Sequence, residues 1–168
     1  ARRHRPSAFH AGIPRIVLPR TAHPAFDKAA GYLGLETVRV GVTRELTADA
    51  PAMEAEINER TILLVGSAPC FPFGLIDPVE ALNDVALRAD VWLHVDACVG
   101  GYFAPFVRMN GAELPDFDFL LPAVQSISAD THKYGYAAKG ASTVIYRDPG
   151  RFAYQGFQFD NWPCRAMK

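Results

Sequence analysis

The residues with the clearest chemical potential lie in two segments that each follow a run typical of a strand. In the first, residues 94–101 (HVDACVGG), an apolar run is followed by the carboxylate of Asp96 and then by small residues. In the second, residues 126–136 (SISADTHKYGY), Lys133 stands among aromatic residues and a glycine. Ligands of open α/β sheets bind beyond the carboxyl ends of the strands, so both segments are candidate site loops.

Asp96 and Lys133 together indicate covalent cofactor chemistry. A partly desolvated lysine amine can act as a nucleophile toward an aldehyde. A carboxylate on the other side of an aromatic cofactor can keep a pyridine nitrogen protonated, and the protonated ring then accepts electrons. Singly, each signal is modest, because an Asp at a strand end commonly caps a helix and a Lys is most often a solvated surface residue.

The neighbouring residues admit other interpretations. His94, Asp96 and His132 could instead form a metal site, because imidazole and carboxylate suit zinc or iron, but that hypothesis leaves Lys133 unexplained. His94 is otherwise interpreted as structural. Cys98 is interpreted as a small buried filler rather than a nucleophile.

The elements that must position these residues alternate between strand and helix. Strands are predicted at residues 13–18, 36–42, 61–66, 91–95, 126–129 and 143–146. Helices are predicted from about His23 to Gly34, from Asp49 to Glu59, and after a capping box in which Asp77 caps, Pro78 opens the helix and Glu80 completes the motif. This repetition implies right-handed crossovers and a mostly parallel sheet of the α/β class.

Composition narrows the classes of function. The chain has 168 residues, which fit one domain, and a net charge of -1, which argues against a nucleic-acid binder; the basic start, residues 1–5, is local. No apolar run approaches the ~20 residues of a membrane span. Three cysteines at irregular spacing indicate reduced thiols and a cytoplasmic protein, with a membrane anchor before residue 1 left open.

Four segments in the same order resemble the group II pyridoxal-phosphate-dependent decarboxylase superfamily. They are residues 21–30 (TAHPAFDKAA), 65–69 (VGSAP), 94–101 (HVDACVGG) and 128–136 (SADTHKYGY). Within that superfamily, the likeness is to the sphingosine-1-phosphate lyases and their bacterial relatives. The resemblance implies a fold type I, pyridoxal-phosphate-dependent transferase-like large domain and a homodimer in the full-length protein.

The resemblance also implies roles for individual residues toward pyridoxal 5'-phosphate. Lys133 matches the Schiff-base lysine, Asp96 the partner of the pyridinium nitrogen and His23 the histidine that stacks on the ring. Ala97 matches a small residue packed under the ring. The remaining matches are a phosphate contact at His132, a position near the ring oxygen at Ser67, and a lysine-glycine turn at Lys139. Tyr134 and Tyr136 are interpreted as packing around the lysine loop.

The chain departs from the family pattern at both ends. The family places a Gly-rich phosphate loop upstream of the region seen here, and no such loop precedes Thr21. Asp160-Asn161-Trp162 resembles the family continuation, and the likeness stops at Pro163. Residues 1–168 are therefore expected to be the central part of a large domain, without the phosphate loop and the small C-terminal domain.

The resemblance implies a carbon–carbon lyase that acts on a small-molecule amine. A phosphorylated long-chain amino alcohol would be cleaved between Cα and Cβ by a retro-aldol step, giving an aldehyde and phosphoethanolamine. An amino acid would instead lose carbon dioxide, so an amino-acid decarboxylase is the alternative. An inactive truncated remnant is a further alternative, supported by the missing phosphate loop.

Overall fold

Six strands form one sheet in the computed structural model, which describes residues 5–156 of the chain. The strands are β1 (Arg15–Pro19), β2 (Glu36–Val40), β3 (Thr61–Ser67), β4 (Trp92–Asp96), β5 (Val124–Ala129) and β6 (Thr143–Tyr146). Their order is β2-β1-β3-β4-β5-β6, with β1 to β5 parallel and β6 antiparallel to β5. The prediction of an α/β fold with a mostly parallel sheet is confirmed. Residues 1–4 of the basic start and Asp160–Trp162 lie outside the described residues.

Helices connect the parallel strands. They are α1 (Ala25–Leu33), α2 (Ala50–Ala55), α3 (Val79–Ala89) and α4 (Ala104–Met109), and two short 3-10 helices cover Pro6–Phe9 and Pro149–Tyr154. Helix α1 ends as predicted, because Gly34 takes the left-handed conformation (φ 63°) that closes a helix. Helix α2 begins as predicted, with the Asp49 carboxylate accepting from the Ala52 N–H at 3.0 Å. Its end comes before the predicted Glu59.

The sheet is covered on both faces. Met53 of α2 and Leu82 of α3 pack with Leu64 of the sheet on one face. Ala30 of α1 packs with Leu18 on the other. Burial on both faces explains why the central strands are apolar runs rather than alternating ones.

The predicted capping box before α3 is wrong. The Asp77 side chain is fully buried and accepts the backbone N–H of Ala48 and that of Ser67, each at 2.8 Å. Pro78 takes the N-cap position without a side-chain hydrogen bond, and Glu80 instead accepts the Asp116 N–H at 3.3 Å. Burial raises the pKa of Asp77, opposed by those two backbone hydrogen bonds. Asp77 therefore ties the end of β3 to the loop before α2, a tertiary contact that local sequence does not encode.

The strand order reverses between β1 and β3. From β1 the chain moves outward to β2, and from β3 it moves the other way through β4 and β5. Such a switch point opens a crevice at the carboxyl ends of the strands. Among the described residues, no helix is long and apolar enough to cross a membrane.

Candidate active site

A cleft of about 520 Å³ opens at this crevice, a size typical of small-molecule sites. Its walls come from the segments after β1 and β5 and from the ends of β3 and β4. Five of the six residues that the sequence nominated for cofactor binding line it: His23, Ser67, Asp96, His132 and Lys133. The fold thus gathers into one cavity residues as far apart in sequence as His23 and Lys133.

Ala97 is the nominated residue that the structure places elsewhere. Its side chain is fully buried in the core, and the next residue, Cys98, lines the cleft. The strand ends at Asp96 and residues 98–100 form a turn, which leaves Asp96 and Cys98 on the cleft and Ala97 in the core.

Lys133 lies against a carboxylate that sequence reasoning did not single out. Its Nζ is 2.9 Å from Oδ2 of Asp130, three residues earlier in the same loop. Ser142 also donates to Asp130. Burial opposes ionisation of Asp130, but the hydrogen bonds from Ser142 and Lys133 outweigh it and lower the pKa of this carboxyl. The i, i+3 spacing of Asp130 and Lys133 was the available sequence signal.

Asp96 reaches the cleft from the end of β4 with one oxygen held in place. Oδ1 accepts the Cys98 N–H at 3.1 Å and the Ser128 hydroxyl at 3.2 Å. Oδ2 receives neither of these bonds. The carboxylate is thus oriented by its own loop and by the adjacent strand β5.

His94 stands two residues before Asp96 on the same face of β4, as strand periodicity requires. Its Nδ1 is 2.8 Å from the Ser126 hydroxyl and its Nε2 is 3.3 Å from the Ser128 hydroxyl. Burial lowers the pKa of His94 to about 4, although the Asp96 carboxylate works in the opposite direction. His94 is therefore a neutral imidazole at physiological pH, within hydrogen-bond reach of two serines.

His23 lies on the turn between β1 and α1 with its ring exposed to the cleft. Its Nδ1 accepts the Ala25 N–H at 3.1 Å, which leaves the Nε2 edge and the ring faces available. Arg39 of β2 holds this turn by donating to the carbonyls of Arg20 at 3.0 Å and Ala22 at 2.9 Å. The sequence around Arg39 carries no local signal for this role, because the role depends on β2 lying beside β1.

The His132 ring is oriented by a hydrogen bond to a backbone carbonyl on the other side of the lysine loop. Its Nδ1 donates to the carbonyl of Ala141 at 2.7 Å, and its Nε2 lies 3.8 Å from Asp130 Oδ2. The Nε2 edge is thus directed to the polar side of the cleft, beside the lysine.

Gly100 and Gly101 are required by packing. A Cβ on Gly100 would lie 2.8 Å from Cδ of Pro69 and still closer to the Ala68 carbonyl. A Cβ on Gly101 would lie 2.7 Å from Cβ of Ala129. These glycines therefore let the loop after β4 touch its two neighbours at the rim of the cleft.

The metal-site alternative finds no support. Across residues 5–156, no group of three His, Cys, Asp or Glu side chains is arranged to hold a metal ion. The chemistry of the cleft fits pyridoxal 5'-phosphate instead. It combines an amine at Lys133 for the aldehyde, a carboxylate at Asp96 for the ring nitrogen and a flat exposed ring at His23.

The sequence and the fold both match known proteins. A family model described as the pyridoxal-dependent decarboxylase conserved domain matches residues 5–161. Sphingosine-1-phosphate lyase 1 of Mus musculus is 46% identical over 162 residues, which cover 95% of this chain and 28% of that protein. A probable L-tyrosine/L-aspartate decarboxylase of Methanothermobacter thermautotrophicus is 42% identical over 135 residues, which cover 80% of this chain and 37% of that protein.

A solved structure extends the match to three dimensions. The sphingosine-1-phosphate lyase of Burkholderia pseudomallei superimposes with a TM-score of 0.88 at 41% identity, covering 95% of this chain and 38% of that one. The chain thus spans well under half of each of these proteins, and the prediction of a fold type I, pyridoxal-phosphate-dependent transferase-like architecture is confirmed. On the family model and these relatives, the chain belongs to the pyridoxal-dependent decarboxylase family.

Proposed function

We propose that the full-length protein carrying this chain is a pyridoxal-phosphate-dependent carbon–carbon lyase that acts on a small-molecule amine through Lys133. The observation that carries the proposal is the convergence of Lys133, Asp96 and His23 on one cleft at the switch point of the sheet. Pyridoxal phosphate supplies an aldehyde that condenses with amines and a protonated ring that accepts electrons from a breaking bond. The proposed reaction resembles that of sphingosine-1-phosphate lyases, with Cα–Cβ cleavage of a phosphorylated amino alcohol.

Lys133 is proposed as the residue that holds the cofactor covalently. Its side chain is 36% exposed and lines the cleft, so Nζ is accessible to an aldehyde. The Asp130 carboxylate, 2.9 Å from Nζ, pairs with the amine and orients it. Because the pKa of Asp130 is lowered, it acts at neutral pH as a carboxylate.

The other cleft residues are proposed to bind and orient the cofactor. The Asp96 carboxylate would face the ring nitrogen and keep it protonated, and the exposed ring of His23 would stack on the cofactor. His132, whose Nε2 edge faces the cleft, would contact the phosphate. Ser67, at the end of β3, would lie near the ring oxygen.

Two alternatives remain as outcomes of the test. An amino-acid decarboxylase would use the same cleft, and the relative of that kind in Methanothermobacter thermautotrophicus supports it. An inactive remnant would keep the fold and lose cofactor binding. Homodimer formation is also proposed for the full-length protein, since the family resemblance implies it.

The test of the cofactor assignment compares wild type and Lys133→Ala in the full-length protein. Pyridoxal phosphate is added, the absorbance spectrum is recorded, and borohydride reduction is followed by peptide mapping. We expect a visible-range band and a reduced adduct on Lys133 in the wild type only. Lys28→Ala, which changes an exposed lysine of α1 outside the cleft lining, is the control and should keep the band. An adduct on another lysine, or none in the wild type, would refute the proposal.

A second assay separates the two reactions. The loaded protein is given a phosphorylated long-chain amino alcohol, or tyrosine, aspartate or glutamate, and aldehyde and carbon dioxide are measured. Aldehyde release from the amino alcohol supports the lyase, whereas carbon dioxide from an amino acid supports the decarboxylase. If the protein forms no adduct on Lys133 and converts neither the amino alcohol nor the amino acids, the result supports an inactive remnant.

A further inference from the structure

A chain of side-chain hydrogen bonds runs along the floor of the cleft and ends on Asp96. It links Trp92 and His94 of β4 with Ser126 and Ser128 of β5, and these four residues are called the His94 relay below. The proposed function uses the Asp96 carboxylate but gives no role to the four residues behind it.

The two ends of the relay have fixed directions. The indole N–H of Trp92 can only donate, so the Ser126 oxygen accepts it, at 2.8 Å in a buried contact. At the other end an ionised carboxylate can only accept, so the Ser128 hydroxyl donates to Oδ1 of Asp96 at 3.2 Å.

These ends determine the state of His94 between them. The Ser128 hydroxyl also contacts the Cys98 thiol, but an ionised carboxylate is a much stronger acceptor than a thiol, so the hydroxyl proton goes to Asp96. The Ser128 oxygen then accepts from Nε2–H of His94, at 3.3 Å. A neutral imidazole carries one N–H, so Nδ1 is left as an acceptor. It takes the hydroxyl proton of Ser126 at 2.8 Å. Every donor in the relay therefore points toward Asp96.

The surroundings favour this neutral tautomer. The Phe26 ring from α1 packs against His94 in a T-shaped arrangement, with ring centroids 5.9 Å apart, and burial disfavours the imidazolium. The Asp96 carboxylate acts in the opposite direction and raises the pKa of His94. The other titratable groups that line this cleft are His23, Cys98, Asp130, His132 and Lys133.

We propose that the His94 relay is a positioning device for Asp96, which fixes Oδ1 and presents Oδ2 to the ring nitrogen of the bound cofactor. Aligned donors polarise one another in a buried site and strengthen the last bond to the carboxylate. The inference rests on the proposed function for its cofactor, whereas the tautomer of His94 can be tested without it. His94 and the two serines act through Asp96 and are positioning residues.

The first experiment measures the nitrogen-15 chemical shifts of the His94 ring in the full-length protein without added cofactor. We expect a neutral ring with the proton on Nε2 at neutral pH. Ser126→Ala should perturb the Nδ1 signal, because it removes that nitrogen's donor. A proton on Nδ1, or an imidazolium, would overturn the relay whatever the cofactor result.

The second experiment measures pyridoxal phosphate affinity and the protonation of its ring, using cofactor labelled with nitrogen-15 in the ring. We expect Ser128→Ala and His94→Phe to bind about tenfold more weakly, as for one lost hydrogen bond to a charged group, and to carry a less protonated ring. In His94→Gln an amide N–H can replace Nε2–H. This variant should therefore keep most of the wild-type cofactor affinity and most of the ring protonation.

Thr143→Val is the matched control, because it removes a hydroxyl from the neighbouring strand β6 outside the relay. It should leave affinity and ring protonation at the wild-type values. If the wild type forms the Lys133 adduct and the relay variants behave like this control, the inference fails and the proposed function stands. If the wild type forms no adduct, the proposed function and the cofactor role of the relay fail together.

Discussion

At the residue scale, Cys98 illustrates how neighbours decide what a side chain can do. It lines the cleft beside Lys133, where a reactive thiolate would compete with the amine for an aldehyde. Burial raises the pKa of the Cys98 thiol to about 12, and the Asp96 carboxylate adds to the rise. Because Cys98 is half-buried and lines the cleft, its interpretation as a buried filler is wrong, whereas the raised pKa agrees with the expectation that it is not a nucleophile.

We expect Cys98 to resist alkylation at mildly alkaline pH. A pKa of about 12 leaves on the order of a thousandfold fewer thiolates than an ordinary cysteine carries. Iodoacetamide labelling followed by peptide mass spectrometry measures the rate at Cys98. Asp96→Asn should speed it, because the carboxylate is one of the causes of the raised pKa. Rapid labelling of the wild type would contradict the raised pKa of this thiol.

His94 should make stability depend on pH in a definite window. Its pKa in the folded protein, about 4, lies below the ordinary 6.5, so the unfolded chain binds more protons between these values. The unfolding free energy should therefore fall as the pH drops through this window, by on the order of 3 kcal/mol.

Urea unfolding of wild type and His94→Gln as a function of pH checks this expectation. Asp77 has a raised pKa and changes stability in the opposite direction, so the difference between the two proteins isolates the histidine. The two curves should converge as the pH falls. Parallel curves would mean that His94 is already charged or exposed in the folded protein.

At the element scale, the turn after β1 depends on a strand from outside it. Arg39 of β2 reaches across to the carbonyls of Arg20 and Ala22 and also pairs with Asp27 of α1. The hydrogen bonds from Arg39 lower the pKa of Asp27. One guanidinium thus holds the strand end, the turn that carries His23, and the start of the following helix.

We expect Arg39→Lys to loosen this turn. A lysine cannot reproduce the planar fork of donors, so the loss should be about 1–3 kcal/mol of unfolding free energy. Broadening of the His23 ring signals by NMR would report the added motion. Arg44→Lys, at an exposed position, is the control and should change neither quantity. Unchanged His23 signals in Arg39→Lys would show that the turn is held by other contacts.

At the scale of the whole molecule, the rim of the cleft is built by loops that touch. Gly100, after β4, lies against Ala68 and Pro69, after β3. This contact joins the loops that follow β3 and β4, at the carboxyl ends of the strands where the site residues lie. The distance between these loops therefore affects the width of the cleft.

We expect Gly100→Ala to destabilise the protein by about 1–3 kcal/mol, because the added methyl group overlaps backbone that must shift. Gly31→Ala is the contrasting variant, since a Cβ there meets nothing within 4 Å among the described residues. In helix α1 it should stabilise the protein by about 0.5–1 kcal/mol. Urea unfolding of the two variants measures both changes, and equal effects would contradict the packing described at the rim.

The sequence by itself determined the α/β class, most of the strands, and Lys133, Asp96 and His23 as candidate site residues. It could do so because a buried parallel strand is a continuous apolar run, and because unusual polar residues follow such runs at the site. Helix α4 was not foreseen, since six residues are too few to establish a helical period.

Only the tertiary structure decided which groups surround those residues. The Asp77 contacts, the Arg39 anchor and the His94 relay join positions that are 10 to 34 residues apart in sequence. The direction in which the chain turns after β4 decides that Cys98 lines the cleft and that Ala97 is buried. Hydrogen-bond partners and burial follow from strand order and loop packing, and local sequence patterns therefore do not predict them.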